Sequence, residues 1–158
     1  MSLRAVQLPP DIPGRLWLSS MPGRFEPWAE FAQEAQRVGL GLTLCLTERD
    51  EIAQVSPVYA RALQTGQMPG RWLNVPIRNF GVPEDALAFR DAVDEVVAAL
   101  QAGEAVLLHC AAGMGRTGTA ASCVLKRLGL PKADALRRVR DAGSNPENAL
   151  QGGVIDWF

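Results

Sequence analysis

Residues 105–119 of this 158-residue chain read AVLLHCAAGMGRTGT, and no other stretch limits the fold as tightly. Ala105, Val106, Leu107 and Leu108 are apolar without alternation, the pattern of a strand covered on both faces, which is the habit of parallel sheets. Gly113, Gly115 and Gly118 follow at once, and from Thr119 the run TAASCVLKRL has helical composition. A buried strand that enters a helix through glycine-rich backbone is the central unit of an α/β fold.

The rest of the chain repeats the alternation. Residues 15–18 (RLWL) predict a first strand, ended by Ser-Ser-Met-Pro-Gly at 19–23. Trp28, Phe31, Ala32, Ala35 and Val38 mark an amphipathic helix that stops at Gly39. Leu40, Leu42, Leu44 and Leu46 predict a buried strand, and the charges at 47–51 end it in a polar loop. A short helix is expected over 57–65 and a further strand over 72–77. Pro83 opens a helix with the stripe Phe89, Val93, Val96, Val97 and Leu100, closed by Gly103. Helices are expected over 119–128, over 132–142 and from Pro146 onward. The expected architecture is one α/β domain over residues 1–158, with a mainly parallel central sheet and helices on both faces.

Composition narrows the function. Hydrophobic residues at 47% and charged residues at 21% supply a core. A net charge of -1 leaves no basic excess for a nucleic-acid binder. Apolar stretches such as residues 38–46 reach about half of the ~20 residues a membrane span needs, so no membrane association is expected. Three cysteines are too few and too oddly numbered for a disulfide framework, which suggests a reducing compartment and a cytoplasmic location. The single histidine, His109, excludes zinc sites built on two or three histidines; no metal and no cofactor is expected.

The chemistry sits in HCAAGMGRTGT. The glycines let the chain curl so that successive N–H groups of Ala111, Ala112, Gly113, Met114 and Gly115 point into one hollow at a helix N-terminus, a site for a tetrahedral oxyanion. Cys110 stands at its entry and Arg116 at its exit. A thiolate is the nucleophilic form of cysteine, and a helix N-terminus beside a guanidinium favours it. Arg116 offers a planar fork for two oxygens, and Thr117 can donate its hydroxyl to the sulfur. The same glycines also fit a dinucleotide fingerprint, with Asp134 downstream, but the chain beyond Gly118 is too short for the strands of that fold. His109 is expected to brace the loop rather than carry protons, and Cys45 and Cys123 to be packing residues.

The segment resembles the signature loop of cysteine-based protein phosphatases, in which His-Cys, five residues, Arg and Ser/Thr form a phosphate cradle. The surrounding chain resembles the dual-specificity and cyclin-dependent-kinase-inhibitor-3-like branch of the protein tyrosine phosphatase superfamily. Leu16-Trp17-Leu18-Ser19 with Pro22-Gly23 is similar to its first strand and turn, and Leu46-Thr47-Glu48 to its second strand exit. Residues 76–83 (PIRNFGVP) resemble its acid loop, and residues 147–151 (ENALQ) its late glutamine segment. The resemblance implies a tyrosine phosphatase-like fold and a metal-independent, two-step reaction on a phosphotyrosine of a phosphoprotein or phosphopeptide, with phosphoserine and phosphothreonine left open. Cys110 would attack phosphorus, Arg116 and the loop amides would hold the oxygens, and Gln151 would place the water that hydrolyses phosphocysteine. A monomer is expected.

One position departs from the family. Asn79 stands where the family has its proton-donating Asp, and an amide has no proton to give near neutral pH. Asp85, and after it Glu84, are the nearby carboxylates that could substitute; both also suit the first turn of a helix. The alternative to an enzyme is a catalytically weak phosphoprotein binder.

Overall fold

The computed structural model describes residues 2–158. In chain order the elements are β1 (Arg4–Val6), β2 (Arg15–Ser19), α1 (Trp28–Val38), β3 (Leu40–Cys45), α2 (Arg49–Val55), α3 (Pro57–Gln64), β4 (Arg71–Asn74), α4 (Ala86–Gln101), β5 (Ala105–His109), α5 (Gly115–Arg127), α6 (Lys132–Asp141) and α7 (Ala149–Val154), followed by a 3-10 turn, Ile155–Trp157. The sheet order is β1-β2-β5-β3-β4. β1 runs antiparallel to β2, and every other pairing is parallel. This is the expected α/β architecture, and its centre is β5, all five residues of which are buried.

Alternate residues of the central strands feed two cores. Leu16, Leu18, Leu42, Leu44, Val106 and Leu108 meet Phe89, Val93, Val96 and Leu100 of α4 and the buried residues of α5. On the other face Trp17 and Leu107 meet Phe31 and Ala35 of α1, while Cys45 meets Ile52 and Tyr59 of α2 and α3. Burying one such aliphatic or aromatic side chain contributes ~1.5–3 kcal/mol. The parallel strands finish together: Ser19 and Cys45 both pair with His109. The loop that follows therefore emerges at the carboxyl edge of the sheet, where open α/β folds bind their ligands.

Several elements differ from the sequence expectation, each for a physical reason. β1 lies in a segment whose prolines hid it, and the polar stretch after β3 is the start of helix α2. The strand expected over 72–77 is regular only to Asn74. Beyond it, Val75 and Ile77 still donate to Cys45 and Leu46 carbonyls, while Pro76 cannot donate. α4 starts at Ala86 rather than Pro83, because Asp85 takes the N-cap and accepts from Ala88 N at 3.0 Å. The last helix starts at Ala149, behind Asn148 as N-cap.

The largest shift is in α5, which begins four residues before Thr119 and includes two of the three loop glycines. A glycine inside a helix costs ~1 kcal/mol relative to Ala, and here packing decides. A Cβ on Gly118 would lie 2.5 Å from Asn145 N, so Gly118 serves close approach of the 144–146 segment and not the curl of the loop. Only Gly113 of the three has a positive φ, 76°.

Candidate active site

β5 ends with His109 and hands the chain to residues 110–114, which α5 then receives. Cys110 is buried, and its Sγ accepts from Gly113 N at 3.2 Å and from Thr117 Oγ1 at 3.0 Å. The sulfur thus lies inside the hollow at the start of α5, with hydrogen-bond donors on two sides.

The carbonyl side of the loop is tied down. Cys110 O faces His109 Nδ1 at 3.2 Å. Ala111 O accepts from Met21 N at 3.2 Å and Arg24 Nη1 at 2.9 Å. Gly113 O accepts from Arg4 Nη2 at 2.7 Å and from Ser144 Oγ. Met114 O accepts from Gly118 N and Asn145 N, and Gly115 O from Thr119 Oγ1. A trans peptide points its N–H opposite to its C=O. Each carbonyl fixed outward therefore turns the next residue's N–H inward, which sets the amides of Ala111, Ala112, Met114, Gly115 and Arg116 toward the hollow.

His109 sits in a buried hydrogen-bonded series beneath the loop. Trp72 Nε1, a donor only, gives its hydrogen to Tyr59 Oη at 2.8 Å; Cys110 O can only accept from His109 Nδ1, so Nε2 of the neutral ring accepts from the Tyr59 hydroxyl at 2.7 Å. The imidazole therefore carries its hydrogen on Nδ1 and donates it to Cys110 O. Burial, with the nearby Arg116 charge as a lesser cause, pulls the ring's pKa down to about 4, so it is neutral at physiological pH. Burial likewise raises Tyr59 well above the usual phenol range and keeps it a donor.

Arg116 is buried and gripped by a residue that the sequence did not single out. Glu51 of α2 accepts from Nη1 at 2.8 Å and Nη2 at 3.0 Å, and Ile77 O accepts from Nη1 at 3.2 Å. Burial pulls this guanidinium's pKa down, but Glu51 and Cys110 outweigh it and the net shift is upward. Five N–H donors less three leave Nε–H and one Nη2–H, a side-by-side pair suited to two oxygens of one phosphoryl group. Arg4, Arg24 and Glu51 carry no motif signal, because they lie far from the loop in sequence. Glu51 had one local signal, its place among the acidic residues opening a helix after Glu48.

The remaining candidates divide. Gln151 is fully buried; its Oε1 accepts from Glu147 N at 2.8 Å and its Nε2 has no partner among the described residues. A Cβ on Gly115 would lie 2.8 Å from that Oε1, so Gln151 abuts the loop. Asn79 is exposed two residues beyond Ile77, in a turn where Gly81 N donates to Arg78 O and Phe80 has φ 61°. Asp85 is occupied as the α4 cap, and Glu84 pairs with exposed Arg78 at 3.1 Å, so neither carboxylate is engaged with the loop. Ala112 and Met114 also face an open cleft of about 470 Å³, with Phe25, Glu26, Glu30 and Arg4 on its walls. Cys45 and Cys123 are buried thiols; burial raises the first and pushes the second up to about 12. Among the described residues no three His, Cys, Asp or Glu side chains gather as metal ligands, and no helix is long and apolar enough to cross a membrane.

Residues 12–151 match the family described as Swiss Army Knife protein, DSP-PTPase phosphatase domain. A protein of Invertebrate iridescent virus 3 that bears the name tyrosine phosphatase 067L is 33% identical over 106 residues, 65% of this chain and 40% of the viral protein, so the chain spans well under half of that relative's length. Among solved structures, a kinase associated phosphatase with its catalytic-site cysteine changed to serine superposes with a TM-score of 0.83 at 19% identity, over 97% of this chain and 90% of its own. The active form of Tk-PTP gives 0.71 at 24% identity, over 94% and 95%. At these identities the two structures speak for the fold.

Proposed function

This chain belongs to the DSP-PTPase phosphatase domain family, and from that premise we propose that it is a metal-independent phosphomonoester hydrolase acting on phosphotyrosine, and on phosphoserine or phosphothreonine where they reach the sulfur, in a phosphoprotein or phosphopeptide. The observation that carries this reading is the sulfur of Cys110, held by Gly113 N and Thr117 Oγ1 in the same loop as Arg116. Cys110 attacks phosphorus and the ester oxygen leaves. The inward amides and the free edge of Arg116 hold the equatorial oxygens, supplying preorganised charge where it develops. Water then cleaves the S–P bond of phosphocysteine, with the unpartnered Gln151 Nε2 placed to orient it, and Thr117 Oγ1 stabilises the departing thiolate. Ala111, Ala112 and Met114 bring no cation to the loop, which favours a singly phosphorylated residue over a polyphosphorylated ligand. Three free thiols suit a reducing compartment such as the cytoplasm.

The test is turnover of aryl phosphates and a phosphotyrosine peptide in EDTA. Hydrolysis that vanadate inhibits, and that Cys110→Ser abolishes, is expected. The rival reading, favoured by Asn79, is a phosphoprotein binder: it predicts vanadate and phosphopeptide binding without turnover. A divalent-ion requirement, or full activity in Cys110→Ser, would overturn the mechanism.

A further inference from the structure

With Asn79 at the position of the family's acid, the proton for the leaving oxygen has no source among the residues so far given roles. The carboxylates around the loop are mostly committed: Glu51 to Arg116, Asp85 to the α4 cap, Glu84 to Arg78. Glu26 and Glu30 line the cleft reached by Arg4, on the carbonyl side of the loop. Glu147 differs. A Cβ on Gly115 would collide with its Oε1 and lie 2.6 Å from its Cγ, so this carboxyl group rests directly on the backbone of the residue before Arg116. It occupies the space that only a glycine leaves open. The side chain is exposed, and its oxygens have no hydrogen bond or ion pair among the described residues.

Two further contacts set its surroundings. Glu147 N donates to Gln151 Oε1, so the unpartnered Gln151 Nε2 belongs to the same small cluster. The adjacent Asn148 donates from Nδ2 to Phe80 O at 2.8 Å, tying this segment to the turn that carries Asn79. The carboxylate and the unpaired amide thus lie at one edge of the cradle, in a segment tied to the residue after Asn79.

We propose that Glu147 is the general acid and base of this site, replacing the function lost at Asn79; the proposal rests on the phosphatase reading above. In the first step the S–P bond to Cys110 forms, the P–O ester bond breaks, and the Glu147 carboxyl proton passes to the leaving oxygen. In the second, a water held beside Gln151 attacks phosphorus and gives its proton to the Glu147 carboxylate. The S–P electrons return to Cys110, and inorganic phosphate leaves. One proton is lent and recovered, so the cycle closes without any other reactant than water.

The experiment compares wild type and Glu147→Gln on phosphotyrosine and on aryl phosphates of graded phenol acidity, in EDTA. Wild type is expected to depend weakly on the leaving group. Glu147→Gln should lose ~10²-fold on phosphotyrosine and become steeply leaving-group dependent. With 4-nitrophenyl phosphate, whose phenolate needs no proton, it should release a burst of about one nitrophenol per Cys110 and then turn over slowly, because phosphocysteine waits for a base. Asn79→Asp added to Glu147→Gln should recover phosphotyrosine turnover, and Glu147→Asp should keep part of it. The side chain is exposed and makes no hydrogen bond or ion pair among the described residues, so these variants report on chemistry. A steep leaving-group dependence in wild type, or a Glu147→Gln protein with wild-type slope and no burst, overturns the role of Glu147 while wild-type turnover upholds the phosphatase reading. A wild type that neither turns over any phosphate nor binds vanadate overturns that reading and the proposal together.

Discussion

Two loops meet at Arg116 and are held in opposite ways. Between Cys110 and Gly115, five carbonyls are fixed by donors from β1, from the turn after β2, from the end of β5, from the 144–145 segment and from α5 itself. Between Arg78 and Asp85 the chain is largely exposed, spanned by one isolated Ile77–Pro83 bridge and one Arg78–Gly81 turn. The first loop has its dipoles oriented before any phosphate arrives, which is where most electrostatic catalysis comes from. The second contributes one proton donor in the family, worth ~10²–10⁴-fold. A site built this way can lose its acid and keep its cradle, since no structural contact of the cradle depends on the residue at 79.

The cradle side of this contrast is most sharply tested by pH. His109 is neutral when folded, with a pKa near 4 against 6.5 for a free imidazole, so below pH 6.5 the unfolded chain binds a proton that the native one refuses. Stability is then fully present above about pH 6.5 and falls by as much as ~3 kcal/mol as pH drops to about 4, at ~1.4 kcal/mol per tenfold in proton affinity. Urea unfolding between pH 7 and 4 measures this, and His109→Asn should flatten that part of the slope. An unchanged slope would mean that the ring is not the buried, neutral brace described here.

A smaller effect is expected at the far end of the cradle. Arg4→Met removes the charged donor from Gly113 O and leaves it to Ser144 Oγ alone, which loosens the orientation of the Met114 amide. A charge-assisted hydrogen bond is worth ~1.5–3 kcal/mol, so kcat and affinity for inorganic phosphate should each fall roughly tenfold, while Arg4→Lys recovers charge without the fork. Wild-type phosphate affinity in Arg4→Met would show that the loop holds its shape unaided. The exposed loop should answer least. Asp85→Ala removes a helix cap, for ~1 kcal/mol of stability, with turnover nearly unchanged; a loss beyond tenfold in turnover would instead make Asp85 the acid.

The same contrast explains what was legible in the sequence. Cys110, Arg116, Thr117 and the start of the hollow could be read because their relation is local: one strand, one turn, one helix. So could β5, β3 and α4, whose apolar runs have a clear period. Arg4, Arg24, Glu51 and Glu147 could not, since each reaches the loop across a gap of some thirty residues or more and belongs to no periodic stripe. β1 is three residues long and α2 buries only Ile52, too little surface to leave a pattern. Gly118 is ambiguous in sequence for a related reason: a glycine states that a Cβ is missing, but not whether the space is needed for a turn or for a neighbour such as Asn145.

Tyr59 joins these buried groups to something visible from outside. It takes a hydrogen from Trp72 Nε1, stacks on Trp28 with ring centroids 5.8 Å apart, and passes its own hydrogen to the histidine that holds Cys110 O. Two of the four tryptophans therefore stand one residue from the imidazole, and one of them is in its hydrogen-bonded series. Indole emission is sensitive to such a bond, so the protein carries an unlabelled optical reading of the backbone at Cys110, available in every fluorescence titration without a probe attached.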